Sequence, residues 1–272
     1  MRRKLKIYTP FIGAGMQEVA TYRINWIFYM LGNVMVCVVS YFIWNAVYVS
    51  GGGGAINGFT MEEMIVYIVL MFLSNTMIAS DVSYVVGEEV RDGAIAMRML
   101  KPVSYNATFL FQEIGNKLFT EFVIAVPLIV AVEAVRASFS GEIQFSILRF
   151  LLFLLSVMMA YFINFFLNIS FGFIAFVTKN LWGVNTVKNC IVGFLSGTIV
   201  PLSFLPEGLE RAFLMLPFAS LNYTPVMIYM GKYSGLTLVY YLCLQLFWAA
   251  AFWVLSKLLW KFFSRRLCVQ GG

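Results

Sequence analysis

The alternation of apolar and polar stretches along the chain predicts membrane-spanning helices. A hydrocarbon layer of about 30 Å is crossed by about 20 apolar helical residues. Six runs meet that length: Asn25–Val47, Met64–Val86, Leu118–Val135, Ile147–Val177, Gly183–Leu205 and Leu236–Trp260, that is 25–47, 64–86, 118–135, 147–177, 183–205 and 236–260. The fourth is long enough that it must tilt or project beyond the bilayer. Between the runs, residues 49–60 form an uncharged, glycine-rich connector, and residues 87–117 form the longest hydrophilic stretch. Residues 136–146 and 178–182 are short. Residues 206–234 are only half polar and hold Pro206, Pro217, Pro225 and Gly231. Their apolar pieces are too short to span, so they suit either a broken, re-entrant outer hairpin or an ordinary amphipathic loop. Residues 1–22 start basic, but Lys6, Pro10, Gln17 and Glu18 interrupt any apolar core of a cleaved leader. They read instead as an amphipathic helix lying on the membrane face.

Composition agrees with the pattern. The chain has 272 residues, 61% of them hydrophobic and 12% charged; a typical soluble domain carries about 25% charge. Too few polar groups exist to cover a soluble surface, which excludes a soluble enzyme, a disordered protein and a disulfide scaffold. The sequence has no histidine, so Ser-His or Cys-His catalysis and His-ligated zinc are excluded. It has no Walker motif, so it cannot hydrolyse ATP through a P-loop of its own. Cys37, Cys190, Cys243 and Cys268 are scattered without metal-ligand spacing. No catalytic, cofactor or metal site is expected.

The basic residues set an orientation. With six spans, one side collects Arg2, Arg3, Lys4, Lys6 and Arg23; Arg91, Arg98, Lys101 and Lys117; Lys179 and Lys188; and Lys257, Lys261, Arg265 and Arg266. The other side collects only Arg136, Arg149, Arg211 and Lys232. The positive-inside rule makes the richer side, and with it both termini, cytoplasmic. The formal charge of +6 is spread over membrane edges rather than gathered in a stripe, which argues against nucleic acid as a partner.

Three constellations could carry function. Residues 87–102 read as a short amphipathic helix closed by Pro102, with Val90, Ala94, Met97 and Leu100 near helical spacing and charges of both signs beside them. Such a helix suits docking to a soluble partner, with Glu88, Glu89, Arg91, Asp92 and Arg98 as orienting charges and Val90 and Met97 as apolar anchors. Asp81, Glu121, Glu133 and Lys188 fall inside or at the edge of spans, where ionisable groups are costly. Only Asp81, Glu121 and Lys188 lie toward the inner face, too few for a proton wire. Gly193 and Gly197 form a Gly-x-x-x-Gly that suits either a subunit seam or close packing within the chain. Asn164, Asn168 and Ser170 could bond between helices or line a path.

Taken together, the chain resembles the permease subunit of bacterial ABC-type exporters of the type-2 (drug, polysaccharide and peptide) class. The resemblance rests on Gly93 through Leu100-Lys101-Pro102, Phe204-Leu205-Pro206-Glu207-Gly208-Leu209, Leu216-Pro217-Phe218, Tyr223-Thr224-Pro225-Val226 and Val269-Gln270-Gly271-Gly272. It covers essentially the whole chain and implies an all-α integral membrane protein with a single transmembrane permease domain over 1–272. That domain would comprise six transmembrane helices, an N-terminal interfacial helix, a cytoplasmic coupling helix and an outer re-entrant hairpin. It further implies that this chain is half of a translocation path in the bacterial cytoplasmic membrane. Its partners would be two copies of an ABC ATPase subunit, which bind ATP and Mg, and a second permease, expected to differ from this one. The rival reading is a stand-alone channel or ion-coupled carrier. The lack of His and a single Asp in any span argue against an intramembrane protease.

Overall fold

The computed structural model describes residues 6–100, 102–140, 145–178 and 180–264. Arg2, Arg3, Lys4, Lys101, Lys179, Arg265, Arg266, Cys268 and the Val269–Gly272 motif lie outside the described residues, as do the side chains of Arg23 and Glu121. Among the described residues the protein is helical, without a named strand. The elements are α1 (Thr9–Thr21), α2 (Arg23–Ser50), α3 (Met61–Ile78), α4 (Val82–Arg91), α5 (Ile95–Met99), α6 (Tyr105–Ser140), α7 (Ile147–Gly172), α8 (Trp182–Leu195), α9 (Glu207–Met215), α10 (Tyr223–Tyr229) and α11 (Gly235–Ser264). Short 3₁₀ turns follow α7 at Phe173–Phe176 and precede α9 at Leu202–Phe204.

Among the described residues, four helical stretches are long and apolar enough to cross a membrane: Met30–Ser50, Met61–Arg91, Ile147–Phe176 and Gly235–Ser264. This is a multi-pass membrane protein. The third apolar run lies within α6, a helix of 36 residues that carries Pro127 in its interior. The fifth run, expected to be continuous over 183–205, is helical only to Leu195. There Gly197 adopts φ +77, and Pro201, which has no N–H to donate, opposes an α-helix running through it and instead opens the 3₁₀ turn at Leu202–Phe204.

The second run is also interrupted, between α3 and α4. Ala79 takes ψ 140, and Ser80 and Asp81 separate the two helices. Short polar side chains compete with the helical ladder for backbone partners, which favours a break at this Ser-Asp pair. Below a membrane surface the freed carbonyls need donors. Asn164 of α7 donates to the Ile78 carbonyl at 2.7 Å, and Lys117 of α6 donates to that of Thr76 at 3.4 Å. The other end of α3 is closed by a capping box, with Thr60 and Glu63 bonding each other's backbone N–H.

Helix α7 is the centre of the bundle and packs against α3, α4, α10 and α11. Two apolar cores flank it. One joins Met64, Leu70 and Leu73 of α3 to Phe153 and Ile163 of α7 and Val226 of α10. The other joins Val82 and Val86 of α4 to Tyr105 and Phe109 of α6, Phe165 and Ile169 of α7, and Trp260 of α11. Lipid offers hydrocarbon as freely as the bundle does, so polar contacts and close backbone packing must help select the partners. Gln245 of α11 makes such a contact: fully buried, it accepts from Ser156 Oγ at 2.9 Å and donates to the Ser220 carbonyl at 2.8 Å.

Helix α1 packs along α6 rather than standing apart. The approach is possible because a glycine on each helix faces the backbone of the other helix. A Cβ on Gly15 would fall 2.0 Å from the Gln112 carbonyl, and one on Gly115 would fall 2.0 Å from that of Ile12.

Candidate functional site

The hydrophilic 87–102 stretch is not one helix. Glu88, Glu89, Val90 and Arg91 form the last turn of α4; Asp92 caps it; Gly93, at φ +73, turns the chain; and α5 follows. The turn lets α5 fold back on α4 and brings Glu89 to Arg98, their ion pair at 2.5 Å. Arg98 also donates to Thr108 Oγ1 at 3.1 Å, and its guanidinium lies 4.1 Å from the centre of the Phe109 ring. Tyr105 donates to Glu89 at 3.2 Å and stacks on Trp260 of α11, ring centres 4.2 Å apart. Burial, and then Glu89, hold the Tyr105 hydroxyl well above the ordinary tyrosine range, so it stays a donor. These contacts weld the end of α4, all of α5 and the start of α6 into one rigid unit.

This geometry divides the candidate docking residues. Glu89 and Arg98 are turned inward, with side chains only 14% and 19% exposed, and Val90 packs against the second core. Glu88, Arg91 and Asp92 face outward, Arg91 and Asp92 paired at 3.0 Å. Met97 and Leu100 project as exposed apolar side chains, at 70% and 78%. The outward surface is thus an apolar pair beside Glu88, Arg91 and Asp92.

Above this unit lies a polar network within the bundle. Ser83 of α4 donates to Asn185 Oδ1 of α8 at 2.7 Å, and Lys188 donates to the same atom at 3.2 Å. Lys188 also bonds Asn168 of α7, which in turn bonds Asn164 at 2.9 Å. Asn164 reaches the break after α3. The network therefore ties α4, α7 and α8 together beside the interruption, while Ser170 bonds only its own helix, at the Phe166 carbonyl.

On the other side of the break, Glu113 of α6 accepts from Ser80 Oγ at 2.8 Å and from the Tyr161 hydroxyl at 3.0 Å. A cavity of about 400 Å³ opens here between α1, α2, α6 and the break, lined in part by Glu18, Asp81, Glu113 and Lys117. Glu113 was legible only as part of a hydrophilic loop. The usable signal was its setting, a single acid within Phe109, Leu110, Phe111 and Ile114 at helical spacing. The facing pair Gly15 and Gly115 carried no recognisable motif, because the two residues are on different helices.

The two glycines of the Gly-x-x-x-Gly do not share a helical face. Gly193 is on α8 with nothing within 4 Å of its Cβ direction. Gly197 lies beyond the helix end, where a Cβ would meet Tyr223, Tyr67 and Leu202 of the same chain, and its carbonyl accepts from Tyr67 at 2.7 Å.

Residues 206–234 fold as two short helices. Pro206 precedes Glu207 at the start of α9, where Glu207 pairs with Arg211; Pro217 lies in the turn; and Pro225 sits in the first turn of α10, where no N–H is needed. All seven residues of α10 are buried. The segment is pinned near its C-terminal end: Tyr229 donates to Glu133 of α6 at 2.8 Å, and Lys232 pairs with Glu63 of α3 at 2.5 Å. Glu133 thus holds the hairpin in place.

No metal-ligating cluster occurs among the described residues. Comparison with curated proteins finds no match. A family model described as ABC-2 family transporter protein matches residues 34–271. With a bundle of apolar helices, a rigid polar unit at the end of the interrupted second span and a family match over nearly the whole length, the chain belongs to the ABC-2 family of transporter proteins and is a membrane permease of that family.

Proposed function

We propose that this chain is half of the translocation path of an ATP-driven exporter in a bacterial cytoplasmic membrane, and that it couples to a separate ATPase subunit through the α4–α5 unit. The observation that carries the reading is the division of that unit into an inner lock and an outer surface. Glu89, Arg98, Tyr105 and Thr108 fix its shape, leaving Met97 and Leu100 exposed beside Glu88, Arg91 and Asp92. An exposed apolar pair rimmed by charges of both signs is the composition of a docking surface, the apolar groups supplying contact area and the charges orientation. A rigid unit transmits displacement, as a coupling lever must. Two ATPase copies, holding ATP and Mg, would bind one such unit on each of two permeases. The second permease, the same or different, would meet this one along the exposed face of α8 around Gly193. Six crossings with both termini cytoplasmic, α1 lying on the inner face and the α9–α10 hairpin capping the outer mouth complete the arrangement.

The test is reversal of the outer charges, Arg91→Glu with Asp92→Lys, and separately disruption of the apolar pair by Met97→Asp. Neither touches the inner lock, so insertion should be unchanged while co-purification of the ATPase, or its substrate-stimulated turnover, falls. Unchanged association and turnover in both variants would show that α4–α5 is not the docking surface. Absence of any co-purifying ATPase would favour the channel or carrier reading.

A further inference from the structure

Coupling gives no role to the cavity of about 400 Å³ between α1, α2, α6 and the break in the second span. Three carboxyl groups line it, each from a different element: Glu18 of α1, Asp81 at the break and Glu113 of α6. Glu18 accepts from the Gln112 amide at 3.1 Å, and Glu113 accepts from the Ser80 and Tyr161 hydroxyls, so their hydrogen-bond donors are neutral. Asp81 stands at the N-cap of α4 yet makes no capping bond, and no ion pair among the described residues includes any of the three. Lys188 attracts Asp81 only from a distance. Lys117, the one described basic side chain on the lining, attracts Glu113 but is bonded to the Thr76 carbonyl, its ammonium 5.3 Å from the centre of the Tyr161 ring. Asp81 and Glu113 are close enough for their charges to repel. Partly buried carboxyl groups that outnumber the nearby cations call for a further cation.

The cavity is also shaped for something larger than a bare ion. Its acids are too dispersed to form a metal-ligating cluster among the described residues. The volume lies within the ~300–1,000 Å³ range of small-ligand sites, and Val19, Met30, Val85 and Phe109 give the lining an apolar wall. The helical ladder is open at Ala79–Asp81, and irregular backbone at span depth is tolerated where it lines a cavity. Interrupted spans of this kind are where transporters hold the charged groups of their substrates. Tyr22 and Val85, 62% and 39% exposed, stand on the lining, so the cavity opens to its surroundings where α1 meets the spans. With α1 on the inner membrane face, as proposed above, that opening lies where an amphipathic amine collects, ammonium among the headgroups and chain in the hydrocarbon.

We propose that this cavity is where the permease recognises its cargo, and that the cargo class is a lipophilic amine, its ammonium held by Asp81 and Glu113 and its apolar body laid along Met30, Val85 and Phe109. The assignment rests on the exporter reading and names the substrate class for it. The carboxyl groups select a cationic head over a neutral or anionic one, and the apolar wall selects an organic cation over an inorganic one. An ammonium between Asp81 and Glu113 would also replace their repulsion with charge-assisted hydrogen bonds.

The test uses the full chain, with the subunits that accompany it, in phosphatidylcholine vesicles at neutral pH. The probes are photoactivatable dodecyl chains carrying an ammonium, a hydroxyl or a sulfate head, compared at equal membrane-bound amounts, with adducts mapped by mass spectrometry. Wild type should show ammonium adducts on the cavity wall in excess over hydroxyl adducts by on the order of tenfold, the low end for a hydrogen bond to a charged group. Sulfate adducts should be fewest. Asp81→Asn, nearly equal in size, should reduce the ammonium excess several-fold, and Asp81→Glu should retain it. Met30→Trp, which fills the apolar arm and leaves the acids, should lower both ammonium and hydroxyl adducts, whereas Val254→Trp on α11 should not. Equal labelling by the ammonium and hydroxyl probes in wild type would overturn the proposal, a comparison that stands by itself should a variant not insert. So would an undiminished preference in Asp81→Asn. With the ATPase present, the ammonium probe should raise its turnover in wild type and not in Asp81→Asn; preference without stimulation would overturn the assignment of the occupant as cargo. Absence of any ATPase would sink the exporter reading, while the labelling would still report on the cavity.

Discussion

A methyl group added to Gly115 should release α1 from α6, while the same methyl at Gly32 should do the opposite to stability. In a helix interior, Gly→Ala ordinarily stabilises by about 1 kcal/mol, because alanine has less backbone freedom to lose. Gly32 on α2 has nothing within 4 Å of its Cβ direction, so this gain should appear undiluted. At Gly115 the new carbon would stand 2.0 Å from the Ile12 carbonyl oxygen, where ordinary contact begins at 3.4 Å. The obstructing atom is backbone, so no side-chain rotation relieves it and α1 must withdraw as a body. Overpacking of this kind costs typically 1–3 kcal/mol, which exceeds the propensity gain. Gly115→Ala should therefore destabilise on balance and Gly32→Ala stabilise. Thermal unfolding in vesicles reads the sign. Docking is read separately in a cysteine-free background by maleimide labelling of a cysteine at Val19, a buried position on α1. Labelling should accelerate in Gly115→Ala and not in Gly32→Ala. Unchanged stability and unchanged labelling in Gly115→Ala would mean that α1 is not seated on α6 through these glycines.

Further outcomes follow from the same geometry. Arg98→Met leaves Glu89 uncompensated in a site of low exposure and should cost about 2–4 kcal/mol, somewhat below the range for a fully buried pair; combining it with Glu89→Gln should recover part of that loss, and strict additivity in unfolding measurements would argue against a direct pair. Gly197→Ala should destabilise by about 1–2 kcal/mol through its left-handed backbone alone, whereas Gly193→Ala should be neutral or better in unfolding assays, since nothing opposes its Cβ. Gly193→Leu should nevertheless weaken recovery of the assembled complex if this face meets a second permease, and wild-type assembly would place the seam elsewhere. A cysteine at Gly53 should react with an impermeant thiol reagent in intact cells while one at Lys257 stays protected until permeabilisation; the reverse pattern would invert the orientation.

The bundle was legible in the sequence wherever a long apolar run coincided with a single helix, as in 147–177 and 236–260. Hydropathy could not show the interruptions, because a break leaves the mean composition of a run untouched: Ala79-Ser80-Asp81 and Ser196-Gly197 sit inside stretches that remain apolar overall. The helical character of the 87–102 stretch was legible from its spacing, but not its division into two helices or which charges face out. That depended on Gly93 folding α5 back so that Arg98 finds Glu89, a pairing created by the turn and invisible to helical periodicity. Glu113 was hidden for a related reason: α6 begins well before its apolar run, so its polar first turns pack into the bundle beside Ser80 and Tyr161.

The interruption at Ala79–Asp81 has a mechanical consequence. Bending an intact helix breaks backbone hydrogen bonds, but here the local ladder is already open and its carbonyls are held by side chains of α6 and α7. The span is compliant at that point and stiff on either side, with α3 clamped by its capping box and α4 by the Glu89–Arg98 lock. A push delivered at α5 would swing α4 about the break like a crank. A turn of about 10° would displace its far end, about 15 Å away at 1.5 Å per residue, by about 2.6 Å. α3, on the far side of the break, would stay still, so one segment can serve as both moving arm and fixed wall.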